Sequence, residues 1–198
     1  VDQAIRDMQL ALSPLKLPIN YVFVSDHGMV TVDNKNTMGL PAEIDTAAFR
    51  VPSGDALLHL HAKDPARIES TYQALKKNQN FDTYLMSETP AHWHYRSSDD
   101  RFNRLGAILL VPKLPRIFNL GRYPTNQGKH GFDTRLREMQ ASFQAWGPAI
   151  KSNKRIPAFE NVDVYPFIAR ILGLSYDPTA IDGHTDTWKT VLKSTYLK

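Results

Sequence analysis

No cysteine occurs among the 198 residues. That absence excludes a disulfide scaffold, a thiol nucleophile and any zinc site built on sulfur. A metal in this chain therefore has only imidazole and carboxylate to hold it. Long apolar runs are missing as well. The longest candidate, Gly106 to Pro112, falls far short of the roughly 18 residues a membrane span requires. Charge of one sign is scarce: 24 Lys and Arg stand against 20 Asp and Glu, and the net +4 is scattered along the chain. No nucleic-acid binding platform is expected from such a balance. Internal repeats and low-complexity segments are absent. No signal peptide is visible, and the chain begins Val-Asp-Gln rather than with Met, which reads as a processed or truncated chain.

What is present describes a folded protein. The sequence is 42% hydrophobic and 22% charged, which excludes a disordered tail, a collagen-like chain and a coiled coil. Its length suits one domain, or one half of a larger one. Apolar residues at Ala4, Ile5, Met8, Ala11 and Leu12 predict a helix that Pro14 and Pro18 close. Tyr21-Val22-Phe23-Val24 is nearly apolar throughout and predicts a central strand buried on both faces of a parallel sheet. A second strand is expected at Ala56 to Ala62. Asp64-Pro65 then reads as an N-cap and first helical position, followed by Ile68, Tyr72 and Leu75 on one helical face. Further strands are expected at Thr83 to Met86, around Tyr95, at Ala107 to Val111 and at Met139 to Trp146. Asn161 is expected to cap a last helix that Gly173 ends. Alternating strands and helices indicate an α/β layered fold with a largely parallel central sheet and helices on both faces.

Ligands of open α/β sheets gather beyond the carboxyl ends of strands, which is where Ser25-Asp26-His27-Gly28-Met29 falls. Carboxylate beside imidazole suits a borderline divalent ion, zinc first. The same turn also fits Asp26 capping a helix and His27 packing in a loop. Gly128-Lys129-His130-Gly131-Phe132-Asp133 sets a histidine between glycines that allow close backbone approach to a metal or phosphate. It fits an ordinary flexible loop equally well. His59 and His61 share a strand face, and His92 and His94 alternate around Trp93. Both pairs, with His184, read as structural or surface residues. Lys151, Lys154 and Arg155 read as a solvated basic face.

Taken in order, these motifs resemble the type I phosphodiesterase and nucleotide pyrophosphatase family. Val24-Ser25-Asp26-His27-Gly28-Met29 resembles the family's signature, and His94-Tyr95 with Arg101 its middle segment. Lys129-His130-Gly131-Phe132-Asp133 resembles its second histidine motif. Met139, Phe143 and Gly147-Pro148 are similar to the run that follows it. Ile156 to Leu174 is similar to the closing helix, so the match extends from about residue 1 to residue 184.

The resemblance implies an alkaline-phosphatase-like fold and two Zn²⁺ ions in the complete enzyme. It implies that Asp26 and His27 ligate the zinc holding the nucleophile, and that His130 ligates the second; Asp133 is expected to orient His130 from behind. The family's threonine nucleophile and its three other ligands belong to motifs this sequence does not contain, so no catalytic residue is assigned here. Thr31 and Thr134 are not promoted to that role. Residues 1–198 are thus expected to be the C-terminal portion of one catalytic domain, with the missing N-terminal half as its partner. Hydrolysis of phosphodiester or pyrophosphate bonds is the implied activity. Phosphocholine-type diesters are the alternative substrates, and a catalytically silent fragment or interaction domain is the alternative role. Association with another copy and a periplasmic or extracellular location are the remaining expectations.

Overall fold

The structure, a computed structural model, describes residues 1–196. Among them are three α-helices, α1 (Asp2–Leu12), α2 (Ile68–Leu75) and α3 (Val164–Leu172). The eight strands are β1 (Tyr21–Val24), β2 (Val30–Thr31), β3 (Phe49–Arg50), β4 (Leu58–Ala62), β5 (Phe81–Leu85), β6 (Ile108–Pro112), β7 (Gly128–Lys129) and β8 (Phe143–Trp146). The chain forms two compact units. One joins Val1–Asp26 to the stretch from Ala141 onward, and the other is His27–Gln140.

In the first unit β1 pairs antiparallel with β8, from Tyr21 opposite Trp146 to Val24 opposite Phe143. The Tyr21 and Trp146 rings stack at 5.3 Å. The core gathers around Trp188, which is fully buried beside Phe167 and Leu192. Its ring lies 4.4 Å from that of Phe167 and 4.7 Å from that of Phe159, spacings at which aromatic pairs attract beyond their buried area. Its indole Nε1 donates to the Asp163 carbonyl at 2.7 Å. The Asp163 side chain is buried too, and it accepts from the His184 amide at 2.7 Å and from Thr187 Oγ1 at 3.2 Å. Those bonds offset the cost of taking a carboxylate out of water. Helix α3 ends at Gly173, whose φ of 67° is the left-handed geometry glycine adopts without strain. Helix α1 forms as its periodicity predicts, yet none of its residues is buried.

The second unit is built on an antiparallel sheet in the order β3-β4-β6-β5. Ile108, Leu109 and Leu110 of β6 are all fully buried. Because successive strand residues point to opposite faces, both sides of β6 are covered. Ile108 and Leu110 join Leu58, Leu60, Phe81 and Phe118 and the α2 residues Tyr72 and Leu75 in the main core. Leu109 points the other way, toward a small cavity it lines with Trp93 and Phe132. The lead into α2 is as expected: the Asp64 side chain accepts from the Ala66 amide at 3.1 Å, with Pro65 at the first position of a 3-10 turn.

The α/β character stands, but the largely parallel sheet is not what these residues build: every ladder between named strands is antiparallel among the described residues. An apolar run reports that a strand is covered; it does not encode the direction of its neighbour. Nor is β1 deeply buried, since Tyr21 to Phe23 are half-buried and Val24 is exposed. The strand expected around Tyr95 is absent. A 3-10 turn, Ala91–Trp93, and a loop take its place. There the Asp99 side chain accepts from the Arg96 amide and Asp100 from the Leu105 amide, local bonds that compete with a ladder. Met139 lies in a separate 3-10 turn, so the expected strand shortens to β8. Asn161 does not cap α3: its side-chain amide donates to the Asp26 carbonyl at 3.2 Å.

Candidate metal centre

Strand β1 ends the first unit's approach to the motif. The Ser25 amide donates to the Ser142 carbonyl at 3.0 Å, and Ser25 Oγ accepts from the Ser142 amide at 2.8 Å. With the Asn161 bond to its carbonyl, Asp26 has a fixed backbone and an exposed side chain.

His27 opens the second unit. The Gly28 amide donates to Met139 O at 2.9 Å, which pins the turn. A side chain at Gly28 would collide with the carbonyls of Glu138 and Gln140, so only glycine lets the chain pass there. Strand β2 follows and pairs with β7, Val30 opposite Lys129 and Thr31 opposite Gly128. In an antiparallel ladder, the residues just before one strand lie across from those just after the other. That register sets Met29 across from His130, and the ring of His27, two residues earlier, stacks on the His130 ring with centroids 3.7 Å apart and 14° from parallel. Lys129 is tied down by an ion pair with Asp55. Gly131, at φ 89°, then turns the chain into Phe132, which is buried with Val32, Ala56, Ile117 and Met139.

The tautomer of the neutral His27 ring follows from its neighbour. Its Nδ1 lies 2.7 Å from the Gly28 carbonyl. A carbonyl only accepts, so Nδ1 carries the proton and the ring's lone pair sits on Nε2. This is the arrangement in which a histidine presents Nε2 to a metal.

Asp133 is held by its own set of hydrogen bonds. Its Oδ1 accepts from the Arg135 amide at 2.8 Å and from His92 Nε2 at 3.1 Å. Burial alone raises its pKa, but the Arg135 amide and the His92 and Trp93 side chains outweigh that, so the carboxyl sits below its usual range. Its hydrogen bonds thus run to His92 and away from the His130 ring. The sequence reading missed this role of His92 because the His-Trp-His alternation imitates a strand. His59, His61 and His184 each have local surroundings that account for them. His59 Nδ1 bonds the Leu105 carbonyl at 2.8 Å, and the His184 backbone serves Asp163. Burial, then Arg50, pushes His61 below its ordinary pKa. Each unit has a cavity of its own. One of about 180 Å³ is lined by Trp93, Tyr95, Phe132 and Asp133, and an open groove of about 770 Å³ runs beside β8 with Lys151, Lys154 and Arg155 on it.

By donor chemistry, one carboxylate and two imidazoles fit zinc. The number does not close a site: among the described residues no group of three or more His, Cys, Asp or Glu side chains is placed to hold a metal ion. Nor does any helix among them have the length and apolarity to cross a membrane.

Comparison with known proteins extends this picture. A family profile described as type I phosphodiesterase / nucleotide pyrophosphatase matches residues 1–133. A bis(5'-adenosyl)-triphosphatase of Mus musculus is 29% identical over 181 residues, which cover 90% of this chain and 38% of that protein. Ectonucleotide pyrophosphatase/phosphodiesterase family member 7 of Homo sapiens is 30% identical over 183 residues, covering 85% of this chain and 37% of that protein. In fold, the chain is similar to human ectonucleotide pyrophosphatase/phosphodiesterase 5, with a TM-score of 0.85 at 23% identity over 98% of this chain and 51% of that one. The murine counterpart, solved as an inactive threonine-to-alanine variant in complex with AMP, has a TM-score of 0.83 at 24% identity, covering 97% and 50%. The chain spans about two fifths of the length of these curated relatives and about half that of the solved structures.

Proposed function

Because the chain belongs to the type I phosphodiesterase / nucleotide pyrophosphatase family, we propose that the whole protein is a hydrolase of phosphodiester or pyrophosphate bonds, with nucleotides as substrates. The observation that carries this reading is the His27–His130 stack, which sets the two histidine motifs side by side across β2 and β7. In this reading Asp26 and His27 hold one zinc ion, His130 contributes to a second, and a threonine outside these residues is the nucleophile. The inactive threonine-to-alanine variant of the murine neighbour supports that last element. Zinc, when bound, lowers the pKa of the attacking hydroxyl and stabilises the charge that develops on the phosphoryl oxygens.

The chain's own residues do the positioning. The Gly28 carbonyl keeps His27 in the tautomer whose lone pair is on Nε2. The carboxylate of Asp26 balances part of the charge of a divalent ion and leaves enough to stabilise an anionic transition state. A covalent route through threonine divides one slow displacement into two.

The proposed partner is the remainder of the same protein. The greater length of the relatives supports this, as does the exposure of α1 and the pairing of β1 on one edge only. The parallel strands of the expected central sheet would then come from that remainder. For residues 1–198 alone we infer metal binding without turnover. A periplasmic or extracellular site of action agrees with the "ecto" in the relatives' names.

A second substrate reading has its own support. The 180 Å³ cavity is lined by Trp93, Tyr95 and Phe132 with the Asp133 carboxylate, and aromatic faces beside a carboxylate suit a quaternary ammonium group. Phosphocholine-type diesters carry one. Rates on a nitrophenyl nucleotide ester against nitrophenyl phosphocholine decide between the two substrates. Replacing His130 by Ala in the complete protein tests the core of the proposal. Zinc content and activity should fall together, and unchanged metal stoichiometry would overturn the assignment.

A further inference from the structure

His92 has no part in the function proposed above, yet it bonds Asp133, in the same segment as His130. Asp133 follows that histidine by three residues. Its Oδ1 closes the turn through the Arg135 amide and also takes the hydrogen bond from His92 Nε2. Between Asp133 and His130, Phe132 is anchored in the core while Gly131 supplies the soft joint at φ 89°.

His92 sits in the Ala91–Trp93 turn, and that turn is fastened to the sheet. The Trp93 ring packs edge-on against Tyr84 of β5, with centroids 5.5 Å apart. Downstream, Arg96 Nε donates to the Thr89 carbonyl at 3.0 Å, and the Ser97 amide donates to Met86 O at 3.1 Å at the end of β5. An unbroken line of support therefore runs from β5 through Trp93 and His92 to Asp133. The His130 side chain is exposed apart from its stack on His27, so the backbone that carries it sets where the ring can reach.

We propose that His92 is a positioning residue for His130: by donating Nε2–H to Asp133 it holds the turn that keeps the His130 ring against His27. The inference rests on the ligand role given to His130. It differs from the expected role of Asp133, because the carboxylate works as a link to the sheet and does not bond the ligand ring.

Zinc affinity of the complete protein, measured by competition with a chromophoric chelator, tests the idea. His92→Ala should weaken zinc binding about 10- to 100-fold, the usual effect of removing such support. His92→Gln, whose amide donates to the same carboxylate, should restore most of the loss. The thermal midpoint of the metal-free protein should be similar in both. Wild-type affinity in His92→Ala overturns the proposal, as does failure of His92→Gln to restore binding. If His92→Ala does not fold, Asp133→Ser serves instead. Its hydroxyl can still accept from the Arg135 amide but falls short of His92, and wild-type affinity there is equally fatal. His130→Ala run alongside separates the two claims. If it keeps its zinc, the ligand assignment fails. If it loses zinc while His92→Ala does not, the positioning claim alone fails.

Discussion

The rings of His27 and His130 meet face to face at 3.7 Å beside a ladder of two residue pairs, Val30 with Lys129 and Thr31 with Gly128, which fixes the register of their flanking segments. A ladder that short has little strength of its own. The relationship depends on what clamps its ends, chiefly the Gly28 amide on Met139 O and the Lys129–Asp55 ion pair.

Gly28→Ala should therefore act on both stability and metal binding. The added methyl meets the backbone carbonyls of Glu138 and Gln140, groups that cannot swing aside like a flexible side chain. Forced overpacking of this kind costs about 1–3 kcal/mol. Denaturant unfolding should show that loss in the second unit, and zinc affinity should fall with it. A fully stable Gly28→Ala protein would mean the turn can open without consequence.

Trp188→Ala should be among the most damaging substitutions in the first unit, since it empties the space between Phe143, Phe159 and Phe167. Large-to-small changes of buried aromatics cost about 3–5 kcal/mol. Trp188→Phe is milder, but it strips the Asp163 carbonyl of its indole donor. The carbonyl belongs to the N-cap of α3 and keeps its helical partner, so the loss is that of one buried hydrogen bond, about 0.5–1.5 kcal/mol. Thermal or urea unfolding should rank the two in that order.

His61 predicts a pH dependence of stability. Burial, reinforced by Arg50, holds its pKa below the ordinary value, so the folded chain favours the neutral ring. The unfolded chain takes up its proton first, near pH 6.5. This contribution is complete above about pH 6.5 and diminishes as pH falls from there toward the folded value. Urea midpoints between pH 7.5 and 5 should show the decline, and His61→Leu should flatten it. An identical slope in that variant would exclude His61 as the source.

Much of the local structure is legible in the sequence. The periodicity of α1, the Asp64-Pro65 start of the segment leading into α2, the apolar run of β1 and the Gly173 stop all express short-range rules and appear where those rules put them. The meeting of His27 and His130 rests on β2 and β7, each two residues long, which no periodic pattern can announce. Strand direction was illegible for a different reason, since burial patterns are the same for parallel and antiparallel neighbours. His92 was overlooked because its importance comes from a long-range bond to Asp133, 41 residues away, in a segment whose alternation suggests a strand.

The Gly28–Met139 hydrogen bond also has a consequence for how the chain folds. Strands β1 and β8 are separated by more than a hundred residues, and closing so long a loop from a disordered chain is slow and entropically costly. The bond draws the two ends of the intervening His27–Gln140 unit together once that unit has formed its own core. From then on, β1 and β8 are joined by what amounts to a tight connection. The second unit should thus become protected from hydrogen exchange first, with the β1–β8 ribbon zipping closed after it as a hairpin does.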